Sequence, residues 1–355
     1  MADLTIGPWS LVSARLLAVG TAAYAVAAGF YASRGFRLRL PDRLSSIGTT
    51  VALGCLAVLL WVVGPAALPS PFGPSLLVVL VASAVFALVY TALQLQRLVD
   101  RLRDALPPIR PIADAEARRK MPHLVMGLMM LYYVGVGHVL VLGIALLSVG
   151  TPGEAFSNLI AVRDAPVWYA GHVIGLWWLL FLLFALLPVE LIRLRTPDAP
   201  FPFKRTILSR LRSREEGLMG AHIHMTVALA AAWLVVAPDP AMWATGVPSC
   251  LAILAVTVFA DSASALAGKR WGRRKWFHNA DKSYLGSAAG TVVAFLVCLP
   301  LVGPAVAILC AAVFLVVDFV GPIPLPVSDN LLNPLGLAAL LVSVQGSVHP
   351  LLPGF

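Results

Sequence analysis

Leu251-Ala-Ile-Leu-Ala-Val-Thr-Val-Phe-Ala260-Asp261-Ser-Ala-Ser-Ala-Leu-Ala-Gly268-Lys269-Arg270-Trp-Gly272-Arg273-Arg274-Lys275 passes from an apolar run into a dense polar island. The island closes with Lys282-Ser283-Tyr-Leu-Gly286-Ser287, where a second apolar run begins. Apolar run, charged loop, apolar run is the pattern of two membrane helices joined at the bilayer surface. Within that loop a carboxylate can hold a divalent cation, and cations can neutralise phosphate. Glycines let backbone amides approach phosphate oxygens closely. The combination points to phosphoryl chemistry at a membrane surface.

The rest of the chain has the same greasy character. Of its 355 residues 59% are hydrophobic and 12% charged, with a mean hydropathy of +0.88. Soluble domains average about 25% charged residues, so an integral membrane protein is expected. The few charges also argue against a nucleic-acid partner, despite a net charge of +9. Cys55, Cys250, Cys298 and Cys310 all fall in apolar runs without metal-ligand spacing, and read as packing residues. The first apolar run, 9–32, is too long for a cleaved signal peptide and lacks a clear cationic start. It reads as a first membrane helix with Arg15 its one awkward residue.

The fold class expected is all-α, a polytopic membrane bundle of about ten helices of roughly 20 residues each. Their approximate limits are 9–32, 47–66, 74–95, 122–149, 167–192, 219–237, 241–263, 284–301, 304–320 and 331–346. Basic residues set the orientation. The segments 34–43, 97–120, 193–214 and 269–282 hold 24 of the 26 Lys and Arg, and they are alternate loops in this count. They are expected in the cytoplasm with both termini outside, in a prokaryotic plasma membrane for a chain without a transit peptide. Two cytoplasmic stretches, 98–106 and 207–219, mix Leu with charge and read as interfacial helices. No repeat or soluble domain is evident.

Further polar clusters reach the same face. They are Arg119-Lys120 with His123 and Gly127, Arg214-Glu215-Glu216, Asp318, and Ser328-Asp329-Asn330 followed by Asn333-Pro334. A carboxylate facing lipid at mid-bilayer costs about 2.5–3.5 kcal/mol, so Asp261 is expected to face protein or an aqueous cavity. Each cluster has a plainer reading as well. Residues 269–275 would serve as a lipid-binding, topology-setting loop, Arg119-Lys120 as a helix-end anchor, and Asp329-Asn330 as a helix N-cap. His138, His172, His222 and His224 lie on spans and are expected to be packed, hydrogen-bonded side chains. His222 and His224 are two apart, which does not place them on one helical face.

In this order the clusters resemble the CTP-dependent lipid-alcohol kinases, the family that includes dolichol kinase, phytol kinase and the yeast-type diacylglycerol kinase. The family's Arg-Lys-x-x-His-x-x-x-Gly is matched by Arg119, Lys120, His123 and Gly127, and its Arg-Glu-(Glu) by Arg214, Glu215 and Glu216. Asp-x-x-Ala-x-x-x-Gly-[Lys/Arg]-x-x-Gly-x-x-Lys is matched by Asp261, Gly268, Lys269, Gly272 and Lys275, with Ser264 in the alanine slot. Lys-Ser-x-x-Gly-Ser is matched by Lys282, Ser283, Gly286 and Ser287, and the closing Asp-Asn-Leu-x-x-Pro-Leu by Asp329, Asn330, Leu331, Pro334 and Leu335. Three positions depart from the pattern: Ala260 replaces a common Gly, Leu285 a Glu or small residue, and Asp318 a usual Glu. No Walker A or protein-kinase signature occurs.

The resemblance covers roughly 118–344 and implies a catalytic domain at 118–346. A three-helix extension at 1–117 would precede it and a short tail at 347–355 would follow. It implies CTP as phosphoryl donor, Mg²⁺ or another divalent cation, and a lipid alcohol as acceptor among membrane lipids. Oligomeric state stays open. The roles implied are Asp261, His123 and Lys120 at the reacting groups, and Asp261, Asp329 and Glu215 on the metal. Gly268, Lys269, Gly272, Arg273, Lys275, Lys282, Ser283, Gly286 and Ser287 would bind phosphate. Arg119, Gly127, Glu216, Asp318, Asn330 and Pro334 complete the motifs. A polytopic transporter would also place acidic residues and histidines in helices, and a lipid-binding scaffold with decayed motifs is a third reading. Neither requires two glycine-and-lysine elements in one short loop.

Overall fold

Apolar runs bounded by Pro, Gly and charge become helices wherever the chain is described. A computed structural model describes residues 8–34, 40–67, 127, 167–195, 219–237, 243–321 and 328–351. The helices are α1 Pro8–Arg34, α2 Leu40–Val62, a single turn α3 Gly64–Ala67, α4 Val167–Arg195 and α5 Ala221–Val236. A long rod follows, made of α6 Trp243–Ala255, a π-helical turn Val256–Ala260 and α7 Asp261–Arg270. Then come strands β1 Lys275–Trp276 and β2 Asn279–Ser283, helices α8 Tyr284–Val302, α9 Pro304–Val320 and α10 Asp329–Ser343, and a 3₁₀ turn Gln345–Ser347. The fold is all-α apart from this antiparallel hairpin, which pairs Lys275 with Ser283 and Trp276 with Asn279 across a bulge. Sequence periodicity gave no hint of the hairpin, because its strands are short and almost wholly polar.

Helix α5 is the centre. Thirteen of its sixteen side chains are buried, as expected of a helix that is apolar all round. It packs on α10, α4, α2 and α6, and α1 pairs with α2 on its outer side. One hydrophobic cluster runs from Leu17 in α1 to Leu341 in α10. Helices α5 and α10 run parallel. His224 near the start of α5 feels the charge of Asp329 at the start of α10. At the other end, Gln345 donates to the carbonyl of Val236, the last residue of α5, at 3.4 Å.

The α8–α9 hairpin turns at Gly303, whose φ of 82° lies in the left-handed region that glycine tolerates. Pro304 then opens α9 at the position where a missing N–H costs nothing. A Cβ on Gly303 would stand 2.8 Å from the carbonyl of His349, because the tail folds over this turn.

Two stretches among the described residues, Ala244–Arg270 and Tyr284–Val302, are long and apolar enough to cross a membrane. Helices α5 and α9 have 16 and 17 residues. At 1.5 Å per residue they rise only about 25 Å, short of a hydrocarbon core of about 30 Å. Of the ten expected spans, these two pass that measure among the described residues, while α1, α2 and α4 run to 27, 23 and 29 residues. The expected spans 74–95 and 122–149 lie outside the described residues, Gly127 excepted, as do 98–106 and all but Met219 of 207–219. Large apolar side chains nevertheless face outward on several helices, among them Val19 and Val26 on α1, Val58 on α2, Leu296 on α8 and Ile308 and Val316 on α9. All four cysteines are free thiols.

Candidate functional site

Asp261 owes its position to a fault in a helix. The rod from α6 to α7 widens into one π turn at Val256–Ala260, and the Asp261 amide donates back to the carbonyls of Val256 and Val258. Such single π turns are frequent at functional sites. Gly127, alone described in its motif, packs here: a Cβ on it would stand 2.5 Å from Val258 Cγ1. The first and third motifs are thus brought within three residues of each other.

Lys282 ends the hairpin just before α8, and its ammonium lies between two carboxylates. It is 2.5 Å from Asp318 Oδ1 and 2.9 Å from Asp329 Oδ2. Asp318, on the last turn of α9 and 2% exposed, also accepts a 2.5 Å hydrogen bond from Ser287 Oγ. A longer one comes from Ser264 Oγ at 3.4 Å, so hydroxyls from α7 and α8 both donate to this carboxylate. Trp276 Nε1 donates to Ser287 Oγ at 3.0 Å, which ties the hairpin to α8.

Burial disfavours the charge on Lys282, but Asp329, then Asp318, then Asp261 outweigh it and hold the ammonium well above the usual lysine range. Two carboxylates, Asp318 and Asp329, thus share one ammonium.

The glycines also have a packing role. They are expected to present amides to phosphate; here Gly268, Gly272 and Gly286 let α7, α8 and the hairpin touch. A Cβ on Gly286 would meet the Ser264 carbonyl oxygen at 2.7 Å and Gly268 Cα at 2.9 Å, and one on Gly272 would collide with Ser283 Oγ and the Gly268 carbonyl. This is small-residue packing between helices. The Gly286 amide is taken by Ser283 Oγ at 3.1 Å, capping α8. Ser283 and Ser287 are likewise committed to internal partners. Lys269, Arg273 and Lys275 lie exposed on the rim beside Arg270 and Arg274.

Asp329 opens α10, with Asn330 and Pro334 buried behind it. The beginnings of α8 and α10 meet this cluster through Ser287 and Asp329, and helix N-termini carry positive partial charge suited to anions. Arg119, Lys120, His123, Glu215 and Glu216 lie outside the described residues.

A second buried ion cluster adjoins the first. Arg193 holds Glu190 through two bonds, Nε to Oε2 at 3.0 Å and Nη2 to Oε1 at 2.7 Å. Gly220, which precedes α5, donates its amide to Glu190 Oε1 at 2.5 Å. Nothing in the sequence marked Glu190: it is one acid at the end of an apolar run, beyond any motif. His224 departs from its expectation of a hydrogen-bonded packing residue, since neither ring nitrogen has a partner.

Among the described residues no group of three or more His, Cys, Asp or Glu forms a metal cage. Mg²⁺ needs only one or two carboxylates when phosphate supplies the remaining oxygens. Asp329, at the first turn of α10, can offer one such carboxylate, and the charge of Asp261 reaches the same ammonium. Compared with family models, with curated proteins and with solved structures, the chain matches none of them.

Proposed function

We propose that this protein is a membrane-embedded kinase that transfers the γ-phosphoryl group of CTP to the hydroxyl of a lipid alcohol of phytol or polyprenol type. The supporting observation is the convergence of Lys282, Asp318 and Asp329 at the first turns of α8 and α10, with the charge of Asp261 felt at the same ammonium. Outward-facing apolar side chains on α1, α2, α8 and α9 support a polytopic bundle of about ten spans, since soluble monomers rarely expose large apolar patches. The basic loops then face the cytoplasm.

In the reaction the alcohol oxygen bonds to the γ-phosphorus as the bond from that phosphorus to the β–γ bridging oxygen breaks. The electron pair leaves with CDP and the hydroxyl proton goes to a base, for which Asp261 and His123 are the candidates. Such transfers need positioning and charge neutralisation more than covalent help. Asp261 and Asp329 would hold Mg²⁺, which supplies charge neutralisation at the phosphates. Lys269, Arg273 and Lys275 on the rim draw in the triphosphate. Lys282 fixes the spacing of Asp318 and Asp329, and releases one carboxylate for each bond it makes to phosphate.

The test uses purified protein in lipid nanodiscs with γ-labelled CTP and a panel of phytol, geranylgeraniol, a longer polyprenol and diacylglycerol. Label in an organic-phase monophosphate supports the kinase. No labelled lipid with any alcohol, together with solute flux in proteoliposomes, supports a transporter instead.

A further inference from the structure

His224 is 5% exposed and Asn333 2% exposed, yet both imidazole nitrogens of the one and Oδ1 of the other lack a hydrogen-bond partner. Leaving a buried polar atom unpaired is costly, and native structures do so seldom. Two such side chains at one place indicate a ligand. Their place follows from the fold. Helices α5 and α10 are parallel neighbours, and the first turn of α10 lies at the carboxylate cluster. His224 is the fourth residue of α5 and Asn333 the fifth of α10, so at 1.5 Å per residue they sit at similar depth. Asn333 is four residues after Asp329 and shares its helical face. His224 lies within reach of the charges of Asp329, Glu190 and His222. Beyond His224, α5 is apolar except for Thr226, whose hydroxyl is spent on the His222 carbonyl.

A neutral imidazole offers one N–H and one acceptor nitrogen, and Asn333 Oδ1 accepts only. A phosphate oxygen cannot satisfy an acceptor, whereas a hydroxyl accepts from the imidazole N–H and donates to the amide oxygen. Beyond the pair, α5 continues with buried apolar side chains from Val227 to Leu234. We infer that His224 and Asn333 form the subsite that binds the hydroxyl head of the lipid alcohol, one helical turn inward from Asp329, with the apolar tail running along α5 and α10. This inference rests on the kinase reading for its acceptor, but it concerns binding and is tested without turnover.

The measurement is binding of tritiated geranylgeraniol, phytol and diacylglycerol to the full chain in nanodiscs, with the methyl ether of geranylgeraniol as a probe lacking the O–H. Wild type is expected to bind at least one alcohol ten-fold or more tighter than the ether. His224→Phe and Asn333→Leu should each weaken that alcohol ten-fold or more, leave binding of the ether and of CTP unchanged, and keep or raise Tm, because an unpaired polar group has been removed. A merely structural role would instead lower Tm and leave alcohol affinity alone, which overturns the inference. So does equal binding of alcohol and ether, or no alcohol bound by wild type. Alcohol binding that depends on His224 in a protein that transfers no phosphate upholds the subsite while the kinase reading fails.

Discussion

Lys282 is the residue on which the polar site balances. Its ammonium neutralises two carboxylates that would otherwise face each other in a partly buried space, so removing it leaves like charges unpaired. Losing one partner of a buried ion pair typically costs about 3–5 kcal/mol, and Lys282→Met is expected to destabilise by that order. The pH dependence follows from the direction of the shift. The folded-state pKa is raised above the unfolded value, so the stabilisation is fully present below lysine's ordinary value of about 10.4. It disappears only as pH climbs through the raised value. The Tm difference between wild type and Lys282→Met should therefore hold constant from pH 7 to 9 and begin to close above about pH 10.5. A gap already closing between pH 7 and 9 would show that Asp318 and Asp329 do not hold this charge.

Residues that recur in an ordered motif were legible at this scale. Asp261, Lys282 and Asp329 were singled out together, and they cluster. Glu190 was not, because a lone acid in an apolar run has no spacing partner to reveal it, and His224 was read only as a packed, hydrogen-bonded side chain. Only the packing of α4 and α10 against α5 shows what they face.

At the scale of the element, the sequence placed the helices well. Every apolar run that falls in the described residues is a helix, since hydrophobic runs between Gly, Pro and charge admit little else. Helix α2 nonetheless begins seven residues before its expected limit, and the rod of α6 and α7 ends seven beyond its own. The π turn was invisible: Val256-Thr257-Val258 reads as ordinary helix, and its extra residue is dictated by the contacts of the two ends. The packing role of the glycines was not legible, because a close approach to phosphate and a close approach to another helix demand the same missing Cβ. The distinction is measurable. Gly286→Ala would push a Cβ into the backbone of Ser264 and Gly268, and overpacking of this kind costs about 1–3 kcal/mol. Gly54→Ala, where a Cβ meets nothing within 4 Å, should be neutral or stabilise α2 by up to about 1 kcal/mol. Equal stability of the two variants in denaturant titration would contradict tight packing of α7 on α8.

At the scale of the whole molecule the sorting of basic residues makes a claim that only a membrane can test. Ala280 is exposed on the hairpin, between the cations of the 269–282 segment, and Ala305 is exposed at the opposite end of α8, one residue into the next helix pair. In a protein whose native cysteines are replaced by alanine, Ala280→Cys should react with an impermeant maleimide only in inside-out vesicles. Ala305→Cys should react only in intact cells. Labelling of both from one side would overturn the crossing by α8. Composition carried the membrane reading, because no packing can hide 59% hydrophobic residues. It could not supply the number of crossings, because helices as short as α5 and α9 fit a bundle interior as well as a bilayer.

All scales meet at Asp261, buried at the end of the π turn, its charge felt at Lys282. The decisive measurement is transfer of label from γ-labelled CTP to organic-phase lipid by wild type and by Asp261→Asn, each inserted in nanodiscs with matching Tm. Wild type is expected to form a labelled monophosphate with at least one alcohol of the panel, and Asp261→Asn to lose 1,000-fold or more of that rate, roughly 4 kcal/mol of transition-state stabilisation. Near-normal transfer by the variant, or no transfer by wild type with any alcohol, would contradict a phosphotransfer site at this cluster.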